Sequence, residues 1–373
     1  MVAVKSEGVW KKIDLMRKQL GNILIDREEE IDLALTALLA REHLLLVGPP
    51  GCGKSLLLDS LMAWMGGKKF SALLTRFSVP EELFGPVSLS GLKEDRFVRV
   101  TTGKLPEADF VFLDEIFKGS SAILNTLLKI LNERTFDPGS GSQRVPLKLC
   151  VAAANEWPAP ETAKDLSALF DRFAIRKTVT PIRTQSGRKQ LLWESSGRGE
   201  LTGSLCPREL EQSCAEANSF AWTKEAREAL ETVLHDLSRE GIRPGDRRQV
   251  KAVGVIRAYA YLQGAVAVLP EHLEVAAHCL WDDPLEQPEV VTRVIRKVAN
   301  PPGLRVNQLL LEAEQILSGT DSKDLTQAAT AAAKLGELDR RLEELASEPR
   351  ALKVRSYLQD QLKRLRLASL SSL

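Results

Sequence analysis

This chain lacks paired cysteines, has few aromatic residues and carries almost no net charge. Its five cysteines, Cys52, Cys150, Cys206, Cys214 and Cys279, are scattered, odd in number and never spaced as C-x-x-C. That excludes a zinc ribbon and favours a reduced, intracellular chain. Aromatics make up only 5% of residues, while Leu, Ala, Glu, Lys and Arg abound, which favours helix. Lys plus Arg number 51 against 50 for Asp plus Glu, so bulk charge suggests neither nucleic acid nor an anionic membrane as partner. No apolar run approaches the ~18 residues of a membrane span, and Met1 to Gly8 is polar, without a signal-peptide core. The expectation is a soluble, cytoplasmic protein. Its 373 residues allow two or three domains.

What the chain does have is Gly48-Pro49-Pro50-Gly51-Cys52-Gly53-Lys54-Ser55, between an apolar run (His43 to Val47) and a helical pattern (Leu56 to Met65). The pattern G-x-x-x-x-G-K-[ST] between strand and helix is a phosphate-binding loop. Its glycines let consecutive N–H groups turn inward, and the helix start adds free N–H groups and a positive dipole end. Lys54 is placed to reach the β- and γ-phosphates of ATP or ADP, and Ser55 to hold Mg²⁺. Leu56, the next residue, is counted among the nucleotide contacts. A glycine-rich turn without a ligand explains neither the spacing nor the flanks.

Upstream, residues 9–41 read as two helices broken at Asn22 to Arg27. Ile23 to Ile25 are either walls of an adenine pocket, with Ile25 foremost, or plain core. Downstream, a strand is expected at Ser71 to Phe77, a helix from Pro80, and a short β-ribbon over Arg96 to Leu105. Asp109 to Leu113 is a continuous apolar run, as in a buried parallel strand, and ends in Asp114-Glu115. Ligands gather at the carboxyl ends of such strands. Asp114 suits Mg²⁺ as a hard oxygen ligand, and Glu115 suits orienting or deprotonating the attacking water. The plainer alternative is that both acids cap the following helix. A helix at 122–131, a hairpin near 133–147 and a buried strand, Leu149 to Ala154, come next. Asn155 ends that strand, either bonding the attacking water or γ-phosphate or acting as an ordinary turn residue. Arg172, in Leu169-Phe170-Asp171-Arg172-Phe173, suits a finger on a neighbouring subunit's γ-phosphate, or else pairs with Asp171. Arg176 and Arg134 are the fallback fingers.

After Pro181 strand patterns stop. Helices are expected near 184–195, 207–220, 223–240, 247–264 and 270–281. Asp246 reads as an N-cap. Arg247, ahead of Arg248, is the candidate for touching a γ-phosphate from this lid; a solvated basic pair is the alternative. Pro301-Pro302-Gly303 marks a boundary, beyond which leucines at 335, 338, 342 and 345, then 358, 362 and 365, suggest an antiparallel helical hairpin. Its basic face, with Lys353, Arg355, Lys363, Arg364 and Arg366, is read as solvated, with contact to an acidic partner or nucleic acid as the alternative.

Together GPPGCGKS, FVFLDE, AAAN, LFDRF and GDRR follow the order and rough spacing of AAA+ ATPases. The segments TRFSVPEELFGPVSL and FVRVTTGKLPEADFVFLDEIFKGSSAILNTLLKILNERTF resemble the MoxR branch, and most of all its RavA-type members. The resemblance covers about residues 8–300. It implies an α/β parallel-sheet core with a helix-2 insert (1–180), an all-α lid (181–300) and a C-terminal helical hairpin or bundle (301–373). It also implies roles: Lys54 and Ser55 as Walker A, Asp114 and Glu115 as Walker B, Asn155 as sensor 1, Arg172 as arginine finger and Arg247 as sensor 2. Family members form hexameric rings with ATP at subunit interfaces and remodel or activate other proteins, often with a von Willebrand A partner. RavA-type proteins carry a β-containing module among their C-terminal helices, whereas residues 303–373 leave room for helices only. Competing readings are a nucleic-acid motor, a metal-chelatase-type motor and an ATP-dependent assembly scaffold. A nucleic-acid motor would need a basic ribbon, but Lys93, Arg96 and Arg99 are mixed with Glu94 and Asp95.

Overall fold

The computed structural model describes residues 7–159, 166–182, 184–193, 201–320, 325–346 and 348–371. Two helices, α1 (Glu7–Ile23) and α2 (Glu28–Ala40), lead into β1 (Leu44–Val47). Then come α3 (Lys54–Met65), β2 (Lys69–Leu73), α4 (Pro80–Phe84), α5 (Leu89–Lys93), β3 (Phe110–Asp114) and α6 (Ser121–Glu133). A small hairpin, β4 (Thr135–Phe136) with β5 (Gln143–Arg144), precedes β6 (Leu149–Ala154), α7 (Ser167–Phe170) and β7 (Ile175–Thr178). Five strands form one parallel sheet in the order β2-β3-β6-β1-β7. Strands β1 and β6 are buried throughout because helices cover both faces, while edge strand β2 alternates.

Helices α8 (Gln185–Trp193), α9 (Pro207–Asn218), α10 (Lys224–Arg239) and α11 (Asp246–Leu262) follow. A 3-10 helix (Pro270–His278) and α12 (Gln287–Ala299) complete the lid. The lid does not stand apart. Helices α9 and α11 pack on α2, and one hydrophobic cluster runs from Leu20 and Leu35 through Leu58 to Val255 and Val291. A second cluster fills the other face of the sheet, under α6. The chain ends in α13 (Pro301–Ser318), α14 (Leu325–Glu343) and α15 (Pro349–Ser371), which share a third cluster. Among the described residues no helix is long and apolar enough to cross a membrane.

Several sequence expectations need correction. Strand β2 stops at Leu73 rather than Phe77, because Thr75 and Ser78 trap the next backbone groups with their hydroxyls (Thr75 N to Ser78 Oγ 3.1 Å, Phe77 N to Thr75 Oγ1 3.2 Å). The ribbon over residues 96–105 is replaced by a helix-tipped loop. Residues 86–88 and 98–100 exchange two backbone bonds (Ser88 N to Val98 O 2.7 Å, Val100 N to Pro86 O 2.8 Å), and Ser88 caps α5 between them. This loop docks on the hairpin tip, where Arg99 N donates to Pro138 O at 2.7 Å. Gly245, not Asp246, occupies the N-cap of α11, so Asp246 lies in the first turn. Residues 270–278 are 3-10 rather than α. The expected pair of helices is α14 with α15; Pro301 and Pro302 open α13, where proline's missing N–H costs nothing, so a third helix joins them in one bundle. Residues 194–195 of the expected helix at 184–195, and the side chains of residues 364–366, lie outside the described residues.

Candidate nucleotide site

The phosphate loop leaves the carboxyl end of β1. Gly48 N donates to Ala154 O at 3.0 Å, which pins the loop's start to β6. Gly51 (φ 80°) and Gly53 (φ 79°) take left-handed conformations that favour glycine. Pro49, Pro50, Gly51, Ser55 and Leu56 are exposed, whereas Cys52 is buried. Lys54 is the first residue of α3, and its ammonium folds back into the loop. It reaches Pro49 O (3.3 Å), Ala154 O (3.1 Å) and Asn155 Oδ1 (3.3 Å), and also donates to Gly48 O. Burial pushes this ammonium's pKa down, and Asp114, Cys52 and Glu115 oppose the shift.

Two acids meet Lys54 from β3. Asp114 Oδ1 accepts from Glu115 N at 3.0 Å. That bond holds Glu115 in a left-handed conformation (φ 54°), uncommon for a residue with a Cβ and found preferentially at functional sites. The Glu115 carboxylate accepts from Asn155 Nδ2 and lies 3.3 Å from Lys118 Nζ. Lys54, Asn155 and Glu115 therefore form one hydrogen-bonded line across the ends of β1, β6 and β3. Among the described residues no three His, Cys, Asp or Glu side chains could hold a metal alone. An exposed Ser55 hydroxyl and the Asp114 carboxylate fit Mg²⁺ only if phosphates and water supply its other ligands. The open cradle at Gly51, where an added Cβ would meet nothing within 4 Å, leaves room for those phosphates.

Beside the loop the structure brings up Leu24, within the expected wall of Ile23 to Ile25, and Arg27, which sequence reasoning passed over. Arg27 Nε donates to Cys52 O at 3.1 Å, and Leu24 Cδ2 lies 3.9 Å from where a Cβ on Gly53 would sit. Ile25 is buried at the same turn, but Leu24 and Arg27 make the contacts to the loop. No local motif marks Arg27; only the packing of α2 beside the loop does.

The arginines gather elsewhere. Arg172 sits just before β7, beside Phe173, whose ring is 6.2 Å from that of His43 at the start of β1. The phosphate loop follows the other end of β1, a strand of roughly 13 Å. Asp171 pairs with Arg172 (2.9 Å) and with Arg247 (3.4 Å) at the start of α11, and lies 3.7 Å from Arg248. Lys251 ties the same corner to Glu42 at 2.8 Å. Neither Arg172 nor Arg247 reaches this chain's own loop. Arg247 is the open member of its pair, with a side chain 52% exposed against 7% for Arg248. Arg248 is held by Asp282 (3.0 Å) and Trp281 O (2.8 Å).

The fallback fingers are corrected by burial. Arg176 is fully buried, with its guanidinium 3.9 Å from the Trp281 ring centroid, and donates to Cys279 O and Trp281 O. Among the described residues its Nε and Nη1 find no hydrogen-bond partner. Arg134 closes the end of α6 by donating to Leu131 O (2.6 Å) and Arg41 O (3.1 Å), and burial pushes its pKa down.

A phosphate loop at the end of a central parallel strand, an acid pair at the end of β3 with β6 inserted between the two strands, and a helical lid define an AAA+ ATPase. A family model described as the MoxR domain in the MoxR-vWA-beta-propeller ternary systems matches residues 11–198, and one for an AAA lid domain matches residues 225–295. The chain belongs to the MoxR family of AAA+ ATPases. An uncharacterized protein of Methanocaldococcus jannaschii is 37% identical over 294 residues, covering 78% of this chain and 76% of that protein. Protein MoxR of Methylorubrum extorquens is 23% identical over 319 residues, covering 75% of this chain and 92% of its own. A solved protein of Cytophaga hutchinsonii, described as a candidate ATPase, shares the fold with a TM-score of 0.64 at 17% identity, covering 78% of this chain and 95% of that one.

Proposed function

We propose that the chain binds ATP between neighbouring copies of itself, hydrolyses it with residues from both, and uses the cycle to remodel a partner protein. One observation carries this. Lys54, Asn155 and Glu115 converge at one end of the sheet, while Arg172 and Arg247 converge on Asp171 just before β7, at the other end. A closed ring of identical subunits, a hexamer in the family's manner, brings one corner of each chain against the opposite corner of the next.

In this reading loop amides and Lys54 bind the β- and γ-phosphates. Ser55 and Asp114 hold Mg²⁺, which when bound neutralises charge on the phosphate oxygens. Leu24, Ile25 and Arg27 flank the base. Glu115 takes or orients the proton of the attacking water, and Asn155 holds that water's geometry. The neighbour's Arg172 and Arg247 leave Asp171 to stabilise charge on the transferred phosphoryl group. The description of the matched family model names von Willebrand A and β-propeller components, which supports a protein partner of that kind. The RavA-type likeness rests on the quoted segments, and among the described residues beyond 300 only helices occur.

The test is Glu115→Gln protein with ATP in a pull-down, since this change keeps binding and slows hydrolysis. Co-purification of a von Willebrand A protein or one client supports remodelling. Salt-sensitive capture of nucleic acid alone would overturn it. Arg172→Ala rings should lose hydrolysis by about 10³-fold, as removal of an arginine finger does. Full ATPase activity in such rings would refute the shared site.

A further inference from the structure

Four aromatic side chains meet between the nucleotide end and the arginine corner. The Trp157 ring centroid lies 6.3 Å from that of Phe117, 6.1 Å from that of Phe170 and 5.6 Å from that of Trp281. Phe117 and Phe170 are themselves 5.4 Å apart. These spacings are those of tilted and edge-on aromatic contacts. Three of the rings stand beside a residue of the proposed reaction in the sequence. Phe117 follows Glu115 by two residues, Trp157 follows Asn155 by two and Phe170 precedes Arg172 by two. Trp281 carries the lid, because Arg176 of β7 and Arg248 of α11 both donate to its carbonyl. Trp157 Nε1 also donates to Thr178 Oγ1 at 3.2 Å, at the far end of β7. Trp157 and Phe117 are only half-buried, so core-filling alone does not account for them.

We propose that Trp157 is a positioning residue that relays the state of the Glu115–Asn155 pair to the arginine corner of the same chain, through Phe170 and Trp281. This rests on the ATPase reading above. The two-state element is the Asn155 amide. Here it bridges Lys54 and Glu115. With a γ-phosphate present Lys54 and Asn155 have a new partner, the Glu115 bond is released, and the chain carrying Trp157 moves with it. Rings already in contact pass that movement to Asp171-Arg172 and, through the doubly bound Trp281 carbonyl, to the start of α11. A subunit's own nucleotide then sets how its arginines are offered to the next subunit.

The test uses full-length wild type, Trp157→Leu and Trp157→Phe with a non-hydrolysable ATP analogue and Mg²⁺. Affinity is read by equilibrium dialysis and the response by amide hydrogen exchange. Wild type should respond at residues 48–56 and also at 166–173 and 279–282. The remote change should be about fivefold or more, as site-to-site coupling of this kind gives. Trp157→Leu should bind the analogue within about twofold of wild type and keep the local response, but lose the remote one. Trp157→Phe retains an aromatic ring and should keep part of it. An equal remote response in Trp157→Leu and wild type, or none in wild type, overturns the relay and leaves the ATPase reading standing. Failure of wild type to bind the analogue overturns both.

Discussion

Replacing Gly48 by alanine tests the geometry of the phosphate loop at a single atom. An added Cβ would sit 2.0 Å from Val179 O and 3.0 Å from its carbonyl carbon, where real Cβ atoms do not come closer than 3.0 Å. Loop and strand must therefore part by about 1 Å, and overpacking of that size costs about 1–3 kcal/mol. Neither side is free to yield. Val179 N is bonded to Val47 O at 2.7 Å, and Gly48 N to Ala154 O at 3.0 Å. The displacement falls on the amides proposed to bind phosphate, so ATP affinity should weaken by at least about tenfold, or 1.4 kcal/mol. Calorimetric titration with a non-hydrolysable analogue measures this, alongside the melting temperature. Gly254→Ala is the control: its Cβ meets nothing within 4 Å, it lies inside α11, and it should stabilise by about 0.5–1 kcal/mol without touching affinity. Wild-type affinity and melting in Gly48→Ala would refute the reasoning.

Two further results are expected. Cys206 is exposed, whereas burial pushes Cys150 and Cys279 up to about 12 and Cys214 up to about 11. Thiol alkylation of native protein, read by mass spectrometry, should therefore mark Cys206 first and leave those three unlabelled until unfolding. Glu29 joins α2 to Lys177 of β7 (2.5 Å) and to His278 of the lid (2.9 Å). Crowding by the surrounding elements raises its pKa although the side chain is 56% exposed, but His278 and Lys177 outweigh that and hold it well below the ordinary 4.5. A depressed carboxyl stabilises above its unfolded pKa and loses that contribution as pH falls. Melting temperature should thus drop from pH 5 to pH 3, and Glu29→Gln should reduce the drop. An equal slope in the variant would show that this triad does not link lid and core.

The nucleotide end was legible because its signals are local. A glycine loop, a strand ending in two acids and a strand ending in Asn155 each state their position by adjacency to an apolar run, and the parallel sheet then brings the three ends together. The arginines were less legible, since Arg134, Arg172, Arg176, Arg247 and Arg248 differ in sequence by little and in surroundings by much. Only the tertiary packing shows that Arg176 lies under Trp281 and that Arg247 faces Asp171 instead of its own loop. Arg27 was silent for the same reason. The ribbon misread over residues 96–105 came from alternation in Arg96 to Val100, which pairs for two rungs before α5 and the positive-φ turn at Asp95 (φ 53°) end it. The C-terminal pair of helices was legible from its leucine spacing; the helix ahead of it was less so, because Pro301-Pro302 signals a helix start as readily as a break.

Beyond its acidic first turn, helix α2 is buried nearly all round: Ile31, Leu33, Ala34, Leu35, Ala37, Leu38 and Leu39 are all buried, with the sheet on one side and α9 and α11 on the other. The lid is therefore the second half of the roof over the parallel sheet, not a flap hung on its edge. Cutting the chain between them would leave two greasy surfaces and no finished domain. The last three helices close over their own cluster around Leu335 and Leu358, so the natural seam for exchanging parts between relatives lies near residue 300, beyond the lid.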